Sequence, residues 1–265
     1  MKIISLNIFR GHEFDALLKF CTEQAASTDV FCLQEVLSNP KEDMSSLPYE
    51  GRANFLEELR RALPEFAGIF APGQEDFDMT TDYEGQLLMG NAILYKKELE
   101  VTGQGSFFIY NEFNSYDGKD FETLGHNAVY IEQGGVTIVT LHGNSQPGSK
   151  RDTPKRLAQS QRVLDFLVVR AGEKIVLGDF NLMPETESIK MFERAGYRNL
   201  VVEHKITTTR GTNHRKISPE YANTPEGYQE FADYTFTTPG VKVTSFEVPD
   251  LPLSDHLPMI LEFNV

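Results

Sequence analysis

Nine short strand-forming runs, separated by four longer stretches of helical periodicity, constrain this chain more than any other feature. The runs cover residues 2–9, 29–36, 91–97, 127–133, 136–143, 174–181, 234–238, 241–248 and 258–265. Helical patterning falls on 13–27, 54–66, 153–171 and 188–196. The third helical stretch opens with Thr153 and Pro154, an N-cap followed by the residue favoured at the first helical position. Its Leu157, Leu164, Leu167 and Val168 form an apolar stripe. Gly134 and Gly135 separate two of the runs, a strong two-residue hairpin signal, and "TTPGVKV" reads as a second tight turn. Hairpins mixed with strand–helix–strand units point to mixed sheets rather than a doubly wound parallel one. The expected fold is therefore α/β: a single-domain sandwich of two face-to-face mixed β-sheets flanked by helices, over residues 1–265. Both chain ends read as strands, which ties them into sheets.

Composition supplies the bounds. At 265 residues with 40% apolar content the chain can bury a sizeable core. No apolar run approaches the roughly 20 residues of a membrane span. The opening "MKIISLNIFRGHEFD" meets Arg10, His12 and Glu13 before a signal-peptide core can form. Cys21 and Cys32 fit neither a disulfide framework nor a zinc spacing. The expectation is a cytoplasmic monomer without a membrane anchor. The 25 basic residues against 39 acidic ones give a net charge of −14. Tight non-specific binding to duplex DNA draws on counterion displacement by Lys and Arg, and the chain as a whole lacks that footprint.

Of eight polar residues, seven stand within two residues of where a run begins or ends, and Asn7 lies inside its run. Asn7 lies among Leu6, Ile8 and Phe9; Glu35 closes the run that starts at Val30; His142 follows Val136–Leu141. Asp179 and Asn181 end the run in "GDFN" and, two apart on a strand, would share one face. Asp233 starts a run, and Asp255 and His256 precede the last one. Singly, each has an ordinary explanation as a turn former, surface acid or structural histidine. Together they are the ingredients of hard-cation binding and phosphate chemistry at one rim of a sandwich.

The ordered series "LNI", "LQE", "LHGN", "GDFN", "ADYTF" and "SDH" closely resembles the endonuclease/exonuclease/phosphatase superfamily, whose fold is the deoxyribonuclease-I-like sandwich. The likeness runs over essentially the whole chain, includes "GNAILYKK" as the family's central strand, and is nearest to bacterial members. It implies a Mg²⁺-dependent phosphoric ester hydrolase, with Mn²⁺ able to substitute. Glu35 matches the principal metal ligand, with Asn7 beside it and Asp255 near enough to assist. Asp179 matches the residue that positions or deprotonates the attacking water. Asn181 matches the amide that holds the phosphoryl group. His256 matches the histidine on the scissile phosphate, and Asp233 the carboxylate that orients it. His142 matches a second catalytic and phosphate-contacting histidine of the deoxyribonuclease, deadenylase and phosphatase branches, which argues against an abasic-site endonuclease. Asp233 is expected to raise the pKa of His256 and keep it cationic.

Substrate form is less constrained. A phosphodiester in a nucleic acid or nucleotide comes first, with phosphomonoesterase or phospholipase-like hydrolysis of a sugar, inositol or lipid phosphate second and a non-catalytic binding module third. Lys150, Arg151, Lys155 and Arg156 form one basic segment, and Arg210, His214, Arg215 and Lys216 another; both are candidates for an anion-binding rim or for solvated faces. Stretches 71–89 and 110–126 read as irregular and as carriers of specificity, through Tyr83, Phe113, Tyr116 and Phe121.

Overall fold

The computed structural model describes residues 1–39, 51–75, 77–78, 81–82, 87–211 and 229–265. In chain order β1 (Lys2–Asn7) leads through a 3-10 turn at Phe9–Gly11 into α1 (Phe14–Gln24) and β2 (Val30–Ser38). Then come α2 (Phe55–Ala62), β3 (Phe66–Glu75), the short β4 (Phe77–Asp78) and β5 (Thr81–Asp82), β6 (Leu88–Lys96) and β7 (Val101–Tyr110). β8 (His126–Gln133) and β9 (Val136–His142) precede α3 (Pro154–Val168), β10 (Glu173–Asp179), α4 (Glu187–Arg194), β11 (Arg198–Asn199) and α5 (Leu200–Glu203). β12 (Asp233–Thr237), β13 (Lys242–Glu247) and β14 (Met259–Asn264) end the series.

Two six-stranded sheets result, ordered β13-β14-β1-β2-β6-β3 and β11-β12-β10-β9-β8-β7. Each is mixed: β1 runs parallel to β2 and β9 parallel to β10, whereas β1 with β14 and β10 with β12 are antiparallel. Strand alternation explains the layering. Ile3, Cys32 and Ile93 join one core cluster with Val129, Ile138 and Ile175 of the facing sheet. Their neighbours Ile4, Phe31, Leu33 and Leu94 turn to the other face, where Leu17 and Cys21 of α1 and Phe55, Leu56 and Leu59 of α2 cover them. On the second sheet Val163 and Leu167 of α3 and Ile189 and Phe192 of α4 pack with Phe180 and Phe236. The Phe192 and Phe236 rings stack at 4.8 Å. The sandwich expected from sequence is the fold observed.

Details differ where local rules compete. Thr153 caps α3 by accepting the Arg156 N–H at 3.2 Å, yet Val168 is exposed and Val163 takes the buried place. Gly134 and Gly135 take φ of 54° and 79°, the left-handed pair that a tight hairpin between β8 and β9 needs. The turn in "TTPGVKV" closes through Val241 N–H to Thr238 O at 3.1 Å, but it carries the chain from one sheet to the other. β3 and β7, absent from the expected strands, form one edge of each sheet. The stretch 71–89 is thus partly strand. In 110–126 the Tyr116 and Phe121 rings stack on each other at 5.7 Å, and Phe113 is exposed. Tyr83, His214, Arg215 and Lys216 lie outside the described residues. Among the described residues no helix is long and apolar enough to cross a membrane.

Candidate active site

Strand register assembles half of the site. β10 lies between β9 and β12, and the ladders pair Asp179 with His142 on one side and with Asp233 on the other. Three functional side chains therefore stand abreast at one strand end. On the facing sheet Asn7 is the last residue of β1 and pairs with Gln34. The β2–β6 ladder bulges between Leu33 and Val36, and Glu35 there takes φ 54°. A bulge breaks the alternation of faces, so Glu35 sits within its strand rather than at the end and still reaches the rim. Gln34 beside it donates across the sandwich to Thr140 Oγ1 at 2.7 Å, tying the bulge to β9.

Asp179 is the hub. Its Oδ2 accepts Asn7 Nδ2–H at 3.0 Å, and the same amide donates to Glu35 Oε1 at 3.0 Å, so one asparagine links the two sheets' carboxylates. Asn7 Oδ1 accepts the Phe9 N–H at 2.9 Å, which orients that amide. Asp179 Oδ2 lies 3.6 Å from both His142 Nε2 and His256 Nε2, and His142 Nε2 is 3.7 Å from Glu35 Oε1. Burial works against the Asp179 anion, but His256, His142, Arg210 and Lys150 outweigh it and hold its pKa below the ordinary range.

Asn181 reaches the site by a route that strand alternation did not foresee. β10 ends at Asp179, and Asn181 follows in a left-handed turn at φ 54°, which asparagine tolerates. Its N–H donates to Asp179 Oδ1 at 2.8 Å and its Nδ2 to Gly143 O at 2.9 Å. His256 Nδ1 meets Asp233 Oδ2 at 2.8 Å. Burial and Arg210 disfavour the imidazolium, whereas Asp233, Asp255 and Asp179 favour it, and the balance raises its pKa to about 9. Asp255 accepts from Arg210 Nη1 at 3.1 Å and from Ser254 Oγ at 3.2 Å, and lies 3.9 Å from His256 Nε2.

Among the described residues, one of each basic segment is built into the site, Lys150 and Arg210. Lys150 donates to Asn181 Oδ1 and, at 3.0 Å, to Ser145 O. Burial and Arg210 push its ammonium down to about 7 against the pull of Asp179. Arg210 is buried against Asp255 and His256. The neighbours of Lys150 do other work. Arg156 is fully buried and spends its guanidinium on the carbonyls of Arg151, Asn144 and Pro147. Arg151 and Lys155 form exposed ion pairs with Glu185 and Glu122. Sequence could flag basic segments, but which residue turns inward depends on the fold. A small cavity of about 20 Å³ adjoins Glu35 and His142, lined by the polar side chains of Gln74, Asn91, His126 and Asn127. Burial holds the His126 pKa down to about 3, so this imidazole is neutral.

Two groups of side chains could jointly hold a cation: Glu35, His142 and Asp179, and Asp179, Asp233 and His256. Asp255 belongs to neither. Glu35 Oε1 and Asp179 Oδ2 converge on one Asn7 amide, and carboxylate oxygens of this kind suit a hard divalent ion.

Sandwich and site together define a two-layer α/β sandwich with a carboxylate- and histidine-rich rim. The endonuclease/exonuclease/phosphatase family model matches residues 4–256, and the chain belongs to that family. Among curated proteins none matches the sequence. Solved structures with the same fold include a mannosyl-6-phosphatase of Bacteroides thetaiotaomicron (TM-score 0.69, 16% identity, 100% of both chains covered). The human nocturnin catalytic domain with bound sulfate gives a TM-score of 0.65 at 16% identity, covering 100% of this chain and 93% of that one. A humanized D. rerio TDP2 gives 0.64 at 15% identity, covering 100% of this chain and 99% of that one.

Proposed function

We propose that this protein hydrolyses a phosphoric ester by attack of water at the rim formed by Asp179, Asn181, His142, His256 and Glu35, with Mg²⁺, or Mn²⁺ in its place, as the bound ion. The observation that carries the reading is the position of Asp179, whose two oxygens touch Asn7 and Asn181 and face both histidines. Glu35 would hold the ion, Asn7 would fix the two carboxylates around it through its amide N–H, and Asp255 would assist from beside His256. A divalent ion there supplies a Lewis acid for a phosphoryl oxygen. Asp179, kept anionic by its neighbours, holds the attacking water by accepting its hydrogen bond; a low pKa suits orientation better than full proton abstraction. Asn181 Nδ2 and His142 Nε2 donate to the phosphoryl oxygens. His256, locked by Asp233, presents a charged N–H to the oxygen on which negative charge grows.

A phosphodiester in a nucleic acid or nucleotide and a phosphomonoester are attacked in the same way at such a site. Membership of the endonuclease/exonuclease/phosphatase family supports phosphoester chemistry without selecting between these forms, and the mannosyl-6-phosphatase shares the fold at 16% identity. The test is turnover of bis-p-nitrophenyl phosphate, p-nitrophenyl phosphate, DNA and RNA by purified protein with Mg²⁺ or with EDTA. Turnover of at least one substrate that EDTA abolishes is expected. Failure on all of them, or turnover indifferent to EDTA, overturns the proposal.

A further inference from the structure

Two buried cations at the rim remain unexplained by water activation or by the ion's seat. Lys150 is 7% exposed, and its ammonium contacts only the neutral Asn181 Oδ1 and Ser145 O among the described residues. Its backbone is held in the left-handed region at φ 55°, pinned by its N–H to Pro147 O at 3.2 Å and by Met183 N–H to its own carbonyl at 3.0 Å. A non-glycine residue in that region costs energy, which the surrounding bonds must offset. Arg210 is 8% exposed; Nη1 serves Asp255 and contacts His256 Nε2, and Nε is buried with no partner. Buried donors are almost always satisfied, and a buried ammonium without a carboxylate is costly.

Both cations flank the same carboxylate. Lys150 touches Asn181, which bonds Asp179 Oδ1; Arg210 touches His256, which faces Asp179 Oδ2. A phosphodiester brings one negative charge and two non-bridging oxygens, which the ion, Asn181 and the histidines already occupy. A terminal phosphate brings a second charge and a third free oxygen. We propose that Lys150 and Arg210 are the two cationic arms of a seat for a terminal phosphate, so that the substrate is a phosphomonoester dianion rather than a diester. This rests on the phosphoesterase reading above. Lys150 also holds Asn181 Oδ1, which leaves the amide's second Nδ2–H, beyond the one on Gly143 O, for the phosphoryl group, and Arg210 offers the fork that a phosphate accepts.

The experiment is calorimetric binding of inorganic phosphate and of dimethyl phosphate to the wild-type protein, Lys150→Met, Arg210→Gln and Arg210→Lys, with Mg²⁺ and with EDTA. Thermal melting of each variant runs alongside. Wild type should bind phosphate about tenfold or more tightly than dimethyl phosphate. Lys150→Met and Arg210→Gln should each weaken phosphate about tenfold or more, as expected for a lost charge-assisted hydrogen bond. Dimethyl phosphate should weaken less in each, through Asn181 and His256 alone, so the phosphate-to-diester affinity ratio falls in both variants. Arg210→Lys, which keeps charge without the fork, should fall between. Lys150→Met should melt no lower than wild type, because it removes a buried charge; a scaffold role for Lys150 would lower the melting temperature and spare the phosphate-to-diester ratio. Equal wild-type binding of the two anions, or phosphate binding within twofold of wild type in the folded Lys150→Met protein, overturns the seat. A wild type that turns over no ester yet shows the predicted anion pattern sinks the phosphoesterase reading and leaves the seat standing. Turnover with the anion pattern absent does the reverse.

Discussion

Glu35 and the Asp233–His256 pair carry the residue-scale predictions. Glu35→Gln keeps the shape and the hydrogen-bonding length but removes the charge a cation needs. Turnover should drop about 10³-fold or more, since a Lewis acid is worth several kcal/mol, while the melting temperature stays near that of wild type. Loss of Mn²⁺ binding in electron paramagnetic resonance gives a second readout. Near-wild-type turnover with intact Mn²⁺ binding would show that Glu35 is not the ligand. His256 has a folded pKa of about 9, above the unfolded value of about 6.5. Its stabilising contribution is thus full below about pH 6.5 and is lost as pH rises through about 9. Asp233→Asn removes the neighbouring carboxylate, so the alkaline limb of its pH–rate profile should move to lower pH. The variant should also lose less stability than wild type between pH 6.5 and 9. A profile that only scales down, with its limb unmoved, refutes the coupling.

At the scale of elements, the edges of the sheets behave differently from their centres. β3, "FAGIFAPGQE", holds Pro72 and two glycines, and β7, "VTGQGSFFIY", holds two glycines; such residues argue against a central strand and are tolerated at an edge. Gly90 shows why one glycine is required. A Cβ there would lie 2.0 Å from Ala71 O and 2.6 Å from Pro72 Cα, both backbone atoms that cannot swing aside. Gly90→Ala should therefore push β3 from β6 and cost about 3 kcal/mol or more, in the range of severe packing lesions. Thermal melting measures it; a shift of under a degree would mean that the edge strand adapts freely. Because Asn91 follows on β6 and donates to Asn127 O at 2.9 Å and Oδ1 at 2.8 Å, the same change should also reach the polar cavity beside Glu35.

For the whole molecule, charge sets the prediction. The chain carries a net charge of −14, and Lys150 and Arg210 are turned inward, away from a duplex surface. Affinity for long duplex DNA should be poor at physiological salt, with a shallow dependence of log affinity on log salt concentration. Fluorescence anisotropy over a salt series measures that slope. A steep slope with tight binding would show that a local basic face dominates the global charge.

Sequence by itself determined the mixed sandwich and the eight polar residues at its rim. Both follow from local rules: the period of two in the central strands, the glycine pair at 134–135, and polar residues interrupting apolar runs at their ends. Tertiary structure alone decided how those residues meet. Asn7 proved to be the last residue of its strand, Glu35 depends on a bulge inside β2, and Asn181 depends on a left-handed turn after β10. The two missed long strands lie at edges, where glycine, proline and polar residues stand in place of the apolar ones that identify a strand. Lys150, Arg156 and Arg210 looked alike as basic residues in loops and helix starts, yet one serves backbone carbonyls and two face Asp179's neighbours. The cost of burying a charge is set by groups far away in sequence, so the direction in which a lysine or arginine points is fixed only when the sheets close on each other.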